Sequence, residues 1–152
     1  MTPAQKQLVQ ASFARLVPFA DSVADMFYRK LFALDPDLRK LFHSDLAAQG
    51  RKLMSMLGTA IVNLDRLEDV APAIRDLGRR HAGYGVEPAH YETVAGALTA
   101  TLEEGLGRDF TPALREAWVS CYQVLAGEMK AGARARRGQA LPSEALHEPG
   151  LY

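Results

Sequence analysis

Three times in this chain a residue able to cap a helix stands directly before a proline: Thr2-Pro3, Asp35-Pro36 and Thr111-Pro112. The pairing has a direct physical meaning. A side-chain oxygen accepts from an orphan N–H of the first helical turn, and proline takes the one helical position where its missing N–H costs little. Gln5 completes a capping box with Thr2.

Each start leads into apolar residues three and four apart. Val9, Phe13, Leu16 and Val17 follow the first, a short run to Phe42 follows the second, and Leu114, Trp118, Cys121, Tyr122, Leu125 and Met129 follow the third. Four more stripes lie between them. Val23, Met26, Phe27, Leu31 and Leu34 come after Pro18, and Leu53, Leu57, Ala60, Ile61 and Leu64 come after a cap at Ser44 or Asp45. Val70, Ile74, Leu77 and His81 follow a start between Leu67 and Pro72, and Tyr91, Val94, Ala95, Leu98 and Leu102 follow Pro88. Gly83 with Gly85, and Gly105 with Gly107, are the stops of two of these helices. No segment alternates apolar and polar residues between turn signals, so no sheet is expected. The pattern predicts an all-α domain over residues 1–131 with about seven helices, two of them short. From Gly132 to Tyr152 the apolar content is low and Arg134, Arg136, Arg137, Pro142 and Pro149 intervene, which predicts a mobile tail.

Composition narrows the function classes. Eighteen Lys and Arg balance eighteen Asp and Glu, so bulk charge gives no reason to expect nucleic acid or an anionic membrane as partner. One cysteine supports neither an internal disulfide nor a Cys-x-x-Cys zinc site. The stretch from Leu53 to Leu64 is too short to cross a bilayer, and no basic segment followed by an apolar run opens the chain, so a cytoplasmic protein is expected.

The catalytic motifs that place a nucleophile or a phosphate cradle are absent: there is no Gly-x-Ser-x-Gly, no P-loop and no Gly-x-Gly-x-x-Gly. Of the four histidines, His147 lies in the predicted tail, His90 beside a helix start and His43 at a helix end, all positions that suit a solvated ring. His81 continues the apolar stripe of Leu77 and precedes a glycine stop. It reads either as a core histidine satisfied by a backbone carbonyl or as a single imidazole ligand aimed into an apolar interior. One histidine does not make a zinc site, which wants three or four protein ligands. It does suffice for haem, whose porphyrin supplies four nitrogens and leaves one axial donor to the protein. The carbonyl one turn back, near Leu77, is the expected partner of the other ring nitrogen.

Read in order, Leu77-Gly78-Arg79-Arg80-His81, Tyr84-Gly85-Val86, His90-Tyr91 and Val94 form a connected set. Phe27-Tyr28, Leu31-Phe32, Pro36, Leu41-Phe42, Gln49, Arg51-Lys52-Leu53 and Ala117-Trp118 with Tyr122 accompany it. The whole set resembles the bacterial single-domain globins related to flavohaemoglobins, over roughly residues 3 to 131. The resemblance implies a globin fold with one haem pocket and haem b as cofactor. It implies His81 as the iron ligand, Tyr28 and Gln49 as distal residues that stabilise a bound ligand, and Phe42, Leu53, Val86, Tyr91 and Val94 as haem-pocket residues. Lys52 and Arg80 become candidates to meet the propionates. Dioxygen and other diatomic ligands are the implied partners. Tyrosine and amide donors suit a ligand that takes on partial negative charge. One such bond is worth about 1.5–3 kcal/mol, and about 1.4 kcal/mol is a factor of ten in an equilibrium.

The chain departs from the flavohaemoglobin pattern in one place. Those proteins set a tyrosine and a glutamate beside the proximal histidine; Tyr91 matches the tyrosine, but the glutamate position falls on Ala133 and Glu128 is out of register. The proximal electronic push behind peroxidase-like chemistry is therefore not expected, and electrons would come from a separate reductase. Three functions follow as expectations: reversible dioxygen binding for storage, transport or buffering; nitric oxide dioxygenation; and a haem-free helical interaction or sensor module.

Overall fold

The computed structural model describes residues 1–43 and 45–139. Among them are six α-helices and no strand: α1 (Pro3–Leu16), α2 (Ala20–Leu34), α3 (Leu46–Val62), α4 (Leu67–Gly83), α5 (His90–Leu106) and α6 (Pro112–Gln139). The short seventh helix of the sequence reading is a 3-10 segment, Pro36–Leu41, and three briefer 3-10 turns join other elements. All three cap-plus-proline starts form. Thr2 Oγ1 accepts from the Gln5 N–H at 3.1 Å while Gln5 Oε1 accepts from the Thr2 N–H at 3.0 Å. Asp35 Oδ1 accepts from the Asp37 N–H, and Thr111 Oγ1 from the Leu114 N–H, both at 3.2 Å. Asp45, of the two residues weighed, caps α3 through the Ala48 N–H; Ser44 lies outside the described residues.

The helix α4 starts at Leu67, within the expected range, with Pro72 inside it and acidic Glu68 and Asp69 in its first turn. One boundary differs from the sequence reading: α6 does not end near residue 131 but continues to Gln139. The run Ala131, Ala133, Arg134, Ala135 is poor in large apolar residues yet rich in strong helix formers, and low apolar content alone misled the boundary. Gly132 and Ala133 are buried. The predicted tail beyond Gln139, with His147, lies outside the described residues.

Two apolar clusters build the core. One joins α1, the second half of α3, α4, the end of α5 and α6 around Val9, Phe13, Ile61, Ile74 and Trp118. Within it the Trp118 Nε1–H donates to Ser12 Oγ at 2.9 Å, so a buried hydroxyl and a buried indole satisfy each other between α6 and α1. The second cluster gathers Phe27, Tyr28, Leu31, Leu38 and Phe42 against Ala97 of α5.

Glycines set the closest helix crossings. A Cβ on Gly78 would overlap the Met129 carbonyl, and one on Gly132 would overlap the Arg75 carbonyl, so α4 and α6 touch backbone to backbone. A Cβ on Gly50 would lie 2.8 Å from the Ala24 Cβ, so α3 rests directly on α2. The first crossing fixes the helix that carries His81; the second fixes the helix that carries Gln49 beside the one that carries Tyr28.

Candidate functional site

Between the two clusters lies an apolar cavity. It is lined by Phe27 and Leu31 of α2, Leu38 and Leu41 of the 3-10 segment, Phe42, and Leu53 and Leu57 of α3. Leu77 and His81 of α4, Val86, and Tyr91 and Val94 of α5 complete the lining. Six of the sequence-predicted site residues, Phe42, Leu53, His81, Val86, Tyr91 and Val94, thus come together in its wall.

His81 is buried near the C-terminal end of α4. Its Nδ1 is 2.8 Å from the Leu77 carbonyl oxygen, the partner expected from the sequence. A carbonyl only accepts, so this contact places the ring proton on Nδ1 and makes Nε2 the basic nitrogen. The helix ends just beyond. The Tyr84 and Val86 N–H groups both donate to the His81 carbonyl, at 3.0 and 3.1 Å, and Gly85 between them takes φ of 103°. A side chain at that φ is strained, so Gly85, rather than Gly83 within the helix, is the residue that turns the chain back over the cavity to bring in Val86.

Tyr28 and Gln49 are buried, at 3% and 1% exposure, and neither lines the cavity itself. Tyr28 stands behind it, edge-on to Phe42 and Phe27 with ring centroids 5.4 Å away in each case, and stacked on Phe32 at 6.1 Å. Its hydroxyl is buried with no hydrogen-bond partner among the described residues. Burial raises the hydroxyl's pKa above the ordinary tyrosine value, so Tyr28 is a neutral O–H donor at any physiological pH.

Lys52 and Arg80 are half-buried and outside the cavity wall. Arg80 Nε lies 3.3 Å from Asp76 Oδ2, and Arg79 takes the other oxygen of the same carboxylate at 2.9 Å. Of the remaining histidines, His43 is exposed as expected. His90 is not a solvated ring: it is half-buried and lines the cavity, and its Nδ1 accepts from the Glu87 N–H at 2.9 Å. On the proximal side, Tyr122 Oη donates to the Tyr91 carbonyl at 2.6 Å, and burial, reinforced by Tyr91, raises the Tyr122 pKa. Glu128 pairs with Arg75 at 2.7 Å, and the position expected for a proximal glutamate is the buried Ala133.

Sequence reasoning missed His90, whose only signal was its place one residue before the inward Tyr91. It also missed the packing roles of Gly50, Gly78 and Gly132; small residues at crossings leave no periodic trace. The residues present fit a haem. An imidazole oriented by its own helix, a wall of aliphatic and aromatic side chains, and a buried hydroxyl donor without a protein acceptor are what a single-ligand iron porphyrin site requires.

Comparison with known proteins agrees with this geometry. The family model described as Globin matches residues 25–129. The chain is 28% identical over 141 residues to a neuroglobin from Tetraodon nigroviridis, an alignment covering 84% of this chain and 89% of that one. It is 27% identical over 124 residues to a flavohemoprotein from Halalkalibacterium halodurans, covering 80% of this chain but only 30% of the relative. The Bacillus subtilis flavohemoprotein is 25% identical over 123 residues, covering 79% of this chain and 31% of its own. The chain therefore spans about a third of the flavohemoproteins it matches. Among solved structures, an engineered carbene transferase derived from a Rhodothermus marinus protein described as a nitric oxide dioxygenase superposes with a TM-score of 0.82 at 30% identity, covering 93% of this chain and 99% of that one.

Proposed function

The chain belongs to the globin family, whose members bind haem, and we propose that it holds haem b and binds dioxygen reversibly for storage, transport or buffering. The observation that carries this reading is the pairing of two features at one cavity. An imidazole fixed by a helix carbonyl lines it, and a buried tyrosine hydroxyl, packed on Phe27 and Phe42 of the lining, has no acceptor among the described residues.

When bound, a ferrous haem supplies an iron with one open position for a diatomic ligand. His81 is the residue to hold that iron through Nε2, with the Leu77 carbonyl fixing the ring. Tyr28 and Gln49 are assigned to donate hydrogen bonds to the ligand once it carries partial negative charge, each bond worth about 1.5–3 kcal/mol. Phe42 and Leu53 keep water out, which strengthens those bonds. Val86, Tyr91 and Val94 are assigned to pack on the porphyrin from the same lining. Lys52 and Arg80 are assigned to the porphyrin carboxylates, Arg80 in competition with Asp76.

A second reading is nitric oxide dioxygenation with electrons from a separate reductase. It is favoured by the similarity to flavohemoproteins and to the Rhodothermus protein. No described helix is long and apolar enough to cross a membrane, in keeping with a proposed cytoplasmic location.

The visible spectrum of the purified ferrous protein tests the haem reading. A five-coordinate spectrum that changes reversibly with dioxygen is the expected result, and a colourless protein with no Soret band would falsify it. Rapid mixing of the oxygenated protein with nitric oxide separates the two activities. One equivalent of nitrate per haem and no sustained turnover with added reductase and NADH is the result for a binder; continued turnover makes the protein a dioxygenase.

A further inference from the structure

We propose that His90 donates a hydrogen bond to a carboxylate of the bound porphyrin, an assignment that rests on the haem reading above and adds to it an anchor on α5. Glu87 and His90 exchange two bonds. The His90 N–H donates to the Glu87 carbonyl at 3.0 Å, and the Glu87 N–H donates to His90 Nδ1 at 2.9 Å. The second bond requires Nδ1 to be an acceptor, so the neutral ring carries its proton on Nε2. The turn before α5 therefore does to His90 the reverse of what α4 does to His81. One ring is set with a basic Nε2, the other with an Nε2–H donor, and both rings line the same cavity.

Three other polar side chains of that wall are already engaged. Thr101 Oγ1 donates to the Ala97 carbonyl at 2.7 Å, Trp118 Nε1 to Ser12 Oγ at 2.9 Å, and Tyr122 Oη to the Tyr91 carbonyl at 2.6 Å. His90 is a half-buried member of the wall whose donor has no acceptor among the described residues. A porphyrin carries its two carboxylates on one edge, and an anion placed against an aliphatic wall needs a donor. At a half-buried position the carboxylate keeps part of its hydration while one oxygen takes the charge-assisted bond from Nε2–H.

The test compares ferric protoporphyrin IX with its dimethyl ester, in which both carboxylates are blocked. Porphyrin loss to excess apomyoglobin is timed for the wild type, His90→Phe and His90→Gln, with helix content checked by circular dichroism. With the free acid, His90→Phe should release porphyrin about tenfold faster than wild type, while His90→Gln, which keeps an N–H donor, should stay within about threefold. With the ester the three proteins should release at one rate. Equal release of the free acid from wild type and His90→Phe overturns the proposal, as does a His90→Phe penalty that persists in full with the ester. If the ester does not bind at all, the free acid decides: equal losses from His90→Phe and His90→Gln overturn the donor role. A wild-type protein that takes up neither porphyrin sinks the haem reading itself, an outcome distinct from any of these.

Discussion

His81 and Leu77 stand one turn apart on α4, with the histidine Nδ1 2.8 Å from the leucine carbonyl oxygen. The contact removes the choice of tautomer: the basic nitrogen is Nε2, and the ring cannot rotate without breaking a buried bond. His81→Ala is expected to abolish tight haem binding, read as loss of the Soret band, and added free imidazole should restore part of it. An unchanged spectrum in this variant would remove His81 from the axial position.

Tyr28 shows a conflict between stability and ligand binding. Its buried hydroxyl has no acceptor among the described residues, and an unsatisfied buried hydroxyl costs about 1–3 kcal/mol. Tyr28→Phe should therefore stabilise the haem-free protein, by about 1 kcal/mol in urea unfolding, while speeding dioxygen release from the loaded protein by about tenfold in stopped-flow displacement. Gln49→Ala should speed release less. A Tyr28→Phe variant that is less stable without haem and unaltered in release would mean that the hydroxyl serves the fold and not the ligand.

The sequence was most legible where one residue dictates a local geometry. Thr2, Asp35 and Thr111 cap helices as read, and the stripe through Leu77 and His81 carries the ring into the core. The globin fold was legible only through the ordered resemblance, because helical stripes say which face is buried and not which helix it meets. The end of α6 was misplaced because helix propensity, not apolar content, carries it through Ala131–Ala135. The place of His90 in the lining was hidden because no periodicity encodes the two bonds it exchanges with Glu87.

Alkaline stability has a calculable sign. Cys121 is fully buried in the core, and burial pushes its thiol from 9.0 up to about 12. In the unfolded chain the thiol ionises near its ordinary value, while in the folded protein it stays protonated. The unfolded state therefore binds fewer protons above that point, and stability falls as pH rises from about 9 towards 12. Tyr28 and Tyr122 are shifted in the same direction and add to the fall only above pH 10, their ordinary value. Cys121→Ala should flatten the first part of this decline and leave the later part. Urea unfolding at a series of pH values resolves the two, and a decline of the same onset and slope in the variant would remove Cys121 from it. The native thiol should also resist labelling by a thiol reagent until the protein unfolds.

The crossing of Gly50 over Ala24 is what brings Gln49 and Tyr28 onto facing helices, and it can be tested by moving a methyl group from one side to the other. A Cβ on Gly50 would meet the Ala24 Cβ at 2.8 Å, with Tyr28 Cε2 the next atom at 3.7 Å. Gly50→Ala must therefore push α2 from α3, with an expected loss of about 1–3 kcal/mol from overpacking. Because the displaced helix carries Tyr28, dioxygen release should change as well. The double variant Ala24→Gly with Gly50→Ala fills the same space from the opposite helix. Because one helix-interior glycine replaces another, the propensity terms cancel, and the double variant should recover most of the lost stability and return the release rate to near wild type. If the double variant unfolds as easily as Gly50→Ala alone and its release rate stays altered, the close approach of these two helices is not what positions the distal pair.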